Sequence, residues 1–169
     1  MPRTPRQALW LLLGLWLVLS ALGPLFAPWA WAQDPGLARL EQQLHLDVNA
    51  FRRSRHLVEL ERRSDLDAVA RGHSEDMVRR GFFAHQNPDG ELAPDRMARA
   101  GVTGFTLAGE NSAQTNQPDP NRQVLHGWIA SPVHLENLVF APFHATGVGI
   151  ARHPDGRLFY TQVYASYPR

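Results

Sequence analysis

Apolar residues follow three different rhythms along this chain. Over residues 8–22 they run almost unbroken, from residue 37 to residue 128 they recur at helical spacing, and over residues 147–165 they crowd into two short runs. In the middle zone Leu37, Leu40, Leu44, Val48 and Phe51 share one helical face. Asp34-Pro35 supplies its start, with Asp as the cap and Pro in the first turn. A break over residues 54–57 precedes a second start at Ser64, with Asp67 three residues on as a short-armed capping box. Leu66, Val69, Ala70, His73 and Met77 share the next face, and Arg79, Arg80 and Gly81 form its stop. A short helix is expected over residues 94–100, closed by Gly101. Another begins at Asp119-Pro120 and carries Val124, Leu125 and Trp128 inward.

The tail changes period. Residues 147–151 and 158–165 read as two strands, with Pro154-Asp155-Gly156 as turn chemistry between them. Residues 105–108 add a third, short strand. Helices first and a hairpin last predict an α+β fold, with helices packed on a small antiparallel sheet of about three strands.

The first rhythm has another meaning. Arg3 and Arg6 open the chain, no charge follows until Asp34, and Ala30-Trp31-Ala32 is the small-x-small pattern that a signal peptidase reads. A secretory signal peptide is expected over residues 1–32 and one domain over residues 33–169. The rival is an uncleaved anchor, which the length of the uncharged stretch would suit. Pro24 and Pro28 weigh against a continuous spanning helix.

Composition narrows the class. All 17 basic residues are arginine, and two lie in the leader, leaving 15 against 16 acids. Such a balance gives no electrostatic footprint for nucleic acid. With no cysteine, an exported domain folds without disulfides and carries no lipid-modified cysteine. The chain also lacks an N-x-Ser/Thr sequon, which suits a bacterial envelope or secreted protein.

Three polar strings carry the candidate chemistry: Phe83-Ala84-His85, Gly109-Glu110-Asn111, and the run from Trp128 through Ser131-Pro132-Val133-His134 to Asn137. Two imidazoles and a carboxylate on separate segments are what a fold would gather into one pocket. Together with Asn49-x-x-Arg52, the run from Ala70 to Met77, Pro88-Asp89-Gly90, Arg96 and Gly147-Val148-Gly149, they stand in an order that resembles the CAP superfamily, SCP-like type, as found in exported bacterial proteins. The resemblance covers residues 37–164. It implies an α-β-α sandwich with a cleft lined by two histidines and two acids. His85 matches the first histidine, Glu110 the first acid and His134 the second histidine, while Ser131 stands where the second acid is expected.

Each residue also has a plainer reading. His73 on an apolar stripe reads as a core histidine with one bonded nitrogen, Trp128 as core packing, and Asn111 and Asn137 as loop ties. His85, His134 and Glu110 form a candidate zinc set with an open position, which would activate water for hydrolysis. Ser131, His134 and Glu110 name a nucleophilic alternative, although a serine before Pro132 reads as a helix cap and no Gly-x-Ser-x-Gly elbow is present. A hydrolase, metal-dependent or based on Ser131 and His134, is therefore the second reading. The first is a non-catalytic, extracellular or periplasmic binder of a lipid-like small molecule or cell-envelope component. His85, Glu110, Ser131 and His134 would shape its cleft, and Phe82, Phe83, Phe105, Phe140, Phe143, Tyr160 and Tyr164 would offer aromatic surface.

Overall fold

The computed structural model describes residues 34–168, so the expected leader over residues 1–32 lies outside the described residues. Five helices and four strands follow in the order α1 (Pro35–Ser54), β1 (Glu61–Arg62), α2 (Ser64–Arg80), α3 (Ala93–Arg99), β2 (Leu107–Thr115), α4 (Pro120–Ala130), α5 (Pro132–Val139), β3 (Ala145–Arg152) and β4 (Leu158–Ser166). The sheet order is β1-β3-β4-β2. β4 pairs antiparallel with both neighbours, and the two-residue β1 lies parallel to β3. Helices cover both faces, giving an α-β-α sandwich.

The sheet has four strands where three were expected. β1 is too short to show a two-residue period, so the sequence gives no sign of it. The strand expected at residues 105–108 is β2, which runs on to Thr115 through Gly109, Glu110, Asn111 and Ser112. These are poor strand formers, and β2 is held instead by nine paired positions on β4.

Local starts and stops follow simple chemistry. The Asp34 side chain accepts from the Gly36 N–H at 2.8 Å, and the Asp119 side chain accepts from the Arg122 N–H. Gly81 ends α2 at φ 68°, in the left-handed region. Ser64 is not the cap of α2, because Arg63 holds that position without a side-chain bond. Asp67 turns away from the helix end to accept the Val148 N–H at 2.8 Å and to pair with Arg62.

Two apolar clusters lie either side of the sheet. Leu44, Val48, Trp128, Leu138, Ile150, Tyr160 and Tyr164 belong to the α1/α4 side, and Leu66, Val69, Ala70, Met97, Val163 and Ala165 to the α2/α3 side. The Asn49-x-x-Arg52 pair proves structural. Asn49 exchanges two hydrogen bonds with the Leu60 backbone, and the fully buried Arg52 donates to the carbonyls of Val58, Leu138, Phe140 and Phe143.

On the other face α2 rests directly on β3. A Cβ on Gly149 would lie 1.9 Å from the Arg71 backbone nitrogen, and one on Gly147 would lie 2.1 Å from the Leu66 carbonyl carbon. No flexible side chain can move aside there, so Gly149→Ala must lift the helix. The expected loss is about 3 kcal/mol or more, read as a lower urea midpoint. A Gly149→Ala protein with an unchanged midpoint would refute this account of the packing.

Candidate functional site

Glu110 is the hinge of the site. β2 carries its side chain onto the α2/α3 face, where it is nine-tenths buried. One carboxylate oxygen accepts from His85 Nδ1 at 2.8 Å and lies 3.4 Å from Ser112 Oγ; the other is held by a short ion pair with the buried Arg96 guanidinium. Arg96 reaches it from α3 and also donates to the carbonyls of His85 (3.0 Å) and Glu91 (2.8 Å), locking the loop that bears His85. His73, fully buried on α2, bonds the Ala84 carbonyl through Nε2 at 3.0 Å, and that nitrogen lies 3.7 Å from Glu110.

His134 arrives from the opposite layer. It stands on the first turn of α5, its carbonyl accepting from Asn111 Nδ2 at 3.0 Å. Asn137 Nδ2 donates to the Glu110 carbonyl and to Asn111 Oδ1, pinning α5 against β2. The two imidazoles thus meet over the edge of β2, ring centres 6.3 Å apart and 54° between planes. From there a groove of about 360 Å3 runs along β2. Phe83 stands on one side, Val124, Gly127 and Trp128 of α4 on the other, and Ser131 and His134 at the end. Larger hollows of about 560 Å3 between α1 and α4, about 520 Å3 beside α2 and α3, and about 400 Å3 at the start of α4 contain neither His85 nor His134.

Electrostatics set the two imidazoles apart. The hydrogen bond that His85 donates to Glu110 raises the His85 pKa above its ordinary value, against the pull of partial burial. Burial lowers that of His134, and the charge of His85 lowers it further. Burial also lowers His73.

The four expected cleft residues therefore reach one region, but not in the expected roles. Glu110 sits behind His85, both its oxygens engaged. His85 spends Nδ1 on it and presents only Nε2 to the cleft. As arranged, His85, Glu110 and His134 do not fit a zinc ion as a ligand set, and among the described residues no three His, Asp or Glu side chains converge as a metal site. Ser131 holds the cap position of α5 without a side-chain capping bond, and its hydroxyl bonds neither His134 nor Glu110. The aromatic set divides: Phe143, Tyr160 and Tyr164 are buried core, while Phe83 is 46% exposed in the groove. Arg96 is the site residue that sequence reasoning missed, having carried no signal beyond its place in the motif order. His73 is the expected core histidine with one bonded nitrogen, and it lies behind Glu110.

Comparison with known proteins decides the family. Residues 46–164 match the family model described as CAP, cysteine-rich secretory protein family. The chain belongs to the CAP family. It does so without a single cysteine. An extracellular protein containing a SCP domain from Bacillus anthracis is 35% identical with a TM-score of 0.67, over 76% of this chain and 41% of that one. Among curated relatives, the uncharacterised membrane protein YlbC of Bacillus subtilis is 32% identical over 72% of this chain and 33% of its own length. The uncharacterised protein YkwD of the same organism is 34% identical over 60% of this chain and 38% of its own. This CAP chain thus spans little more than a third of the curated relatives it matches. An outer surface protein of Borrelia burgdorferi shares the fold at 18% identity, with a TM-score of 0.70 over 77% of this chain and 94% of that one.

The wiring predicts a split titration. In an NMR titration the His85 Cε1–H signal should inflect above the ordinary histidine value and that of His134 below it. Glu110→Gln should move the His85 inflection downward. A raised folded pKa means that His85 contributes stability below its unfolded pKa and loses it as pH climbs through the folded one. Identical inflections for the two histidines would contradict the geometry.

Proposed function

We propose that this CAP chain is an exported bacterial protein that binds, without turning over, a small or lipid-like molecule or a cell-envelope component in the cleft formed by His85, Glu110 and His134. Export is supported by the leader-like pattern of residues 1–32 and by the extracellular SCP-domain relative of Bacillus anthracis. No helix among the described residues is long and apolar enough to cross a membrane.

One observation carries the binding reading. His134 lines a groove with an aromatic wall and His85 stands next to it, and among the described residues no hydrogen-bonded nucleophile or converging ligand set stands beside the pair. A binder needs shape and a few fixed polar groups. A hydrolase would need Ser131 engaged by His134, or three free metal-ligating groups, and neither arrangement is present among the described residues.

Native mass spectrometry of the untagged protein after gentle purification is the direct test. A retained small molecule or envelope fragment, lost from the His85→Ala/His134→Ala protein, is the expected result, with no stoichiometric zinc by elemental analysis. Retention undiminished in the double variant would remove the cleft from the account. Turnover of an ester or amide panel abolished by Ser131→Ala would replace binding with hydrolysis.

A further inference from the structure

The two edges of the sheet are treated differently. Beyond β1, the outward N–H groups of β3 are satisfied by carboxylates: Val148 donates to Asp67 and Ile150 to Glu41 at 3.0 Å. This is ordinary protection of an edge. β2 forms the other edge. Its odd-numbered residues face β4. The even-numbered ones face outward, as the bonds from Asn137 to the Glu110 carbonyl and from Trp128 Nε1 to the Ser112 carbonyl show. The outward N–H groups of Glu110, Ser112 and Gln114 have no acceptor among the described residues, nor has the Gln114 carbonyl a donor. Glu110 and Ser112 are themselves buried to more than nine-tenths. Unpartnered backbone donors in such a place are rare.

These donors repeat about every 6.8 Å, the spacing at which an added strand bonds its neighbour. The groove follows the same line: Ser112 to Thr115 form its floor, with Phe83 and α4 on either side. Charge marks one end. Arg96 neutralises Glu110, so protonation of His85 leaves that end positive.

We infer that the outward N–H groups of β2, beside carbonyls that Asn137 and Trp128 already hold at Glu110 and Ser112, receive an extended polypeptide segment as an additional strand, with an apolar side chain between Phe83 and Trp128 and an acidic one beside His85 and His134. The inference rests on the cleft reading above and narrows its ligand to polypeptide. Main-chain bonds supply attachment, and alternate side chains supply selectivity. No bond in the segment is broken.

The test uses a phage-displayed library of random octapeptides panned on the protein. Enriched octapeptides bearing Asp or Glu towards one end are expected. Their binding should fall tenfold or more in Gln114→Pro, which removes an outward N–H while leaving the β4 ladder intact. It should persist in Gln114→Ala, which keeps that N–H. On binding, the amide signals of Ser112 and Gln114 should shift in the unaltered protein, and these alone decide the matter if Gln114→Pro loses its cooperative melt. No enrichment, equal binding to Gln114→Pro, or unmoved Ser112 and Gln114 signals would each overturn the inference. Octapeptides that tolerate His85→Ala/His134→Ala but not Gln114→Pro would uphold the edge and refute the imidazole cleft. A lipid retained in native mass spectra without octapeptide binding would do the reverse.

Discussion

The contact on which this fold turns is the bare approach of α2 to β3 at Gly147 and Gly149. With no side chain between them, helix backbone meets strand backbone, and not even a Cβ would fit at either glycine. Ser74 then reaches through to the Gly149 carbonyl and the Thr161 hydroxyl, both at 2.9 Å. Because α2 cannot slide, its C-terminal turn cannot either. Gly81 reverses the chain there, and the segment that follows lays Phe83 against Phe159 and delivers His85 to Glu110. A packing constraint far from the cleft thus sets the position of a cleft residue.

Around Glu110 the same logic is electrostatic. A carboxylate buried this deeply is costly unless its charge is met. Arg96, itself buried, meets it, and His85 and Ser112 take the remaining directions. Once so engaged, the carboxylate acts on His85 rather than on a ligand: it orients the ring and favours its protonated form. Arg96 therefore has two jobs, charge balance and, through the His85 and Glu91 carbonyls, loop geometry.

Much of this was legible in the sequence, for identifiable reasons. Asp34-Pro35, Asp119-Pro120 and Gly81 act locally, through cap and turn chemistry, and the structure places helix ends where they predict. The stripe from Leu37 to Phe51 buries Leu37, Leu44 and Val48 because burial follows helical period. Only the start of β2 was expected, because the residues from Gly109 to Ser112 prefer turns and only pairing with β4 makes them a strand. α2 begins at Ser64 as expected, but the capping box does not form, and Asp67 accepts a strand amide on a distant segment instead. At the site, motif order located His85, Glu110 and His134, but spacing in sequence carries no information on which carboxylate oxygen is already taken. That depends on Arg96, whose role exists only after α3 folds back beside β2.

The serine at position 131 completes the picture of the imidazole pair. Family resemblance leads one to expect an acid there, which would give His134 an ionic partner as Glu110 gives one to His85. Ser131 provides none, so burial and the neighbouring His85 govern His134 and hold its pKa down. Two imidazoles with centres 6.3 Å apart would repel if both were charged. The two shifts are opposed: the Glu110 carboxylate behind His85, shared with Arg96, raises the His85 pKa, while burial and His85 lower that of His134. One imidazole from each layer of the sandwich thus stands at the edge of β2, and the two are shifted in opposite directions.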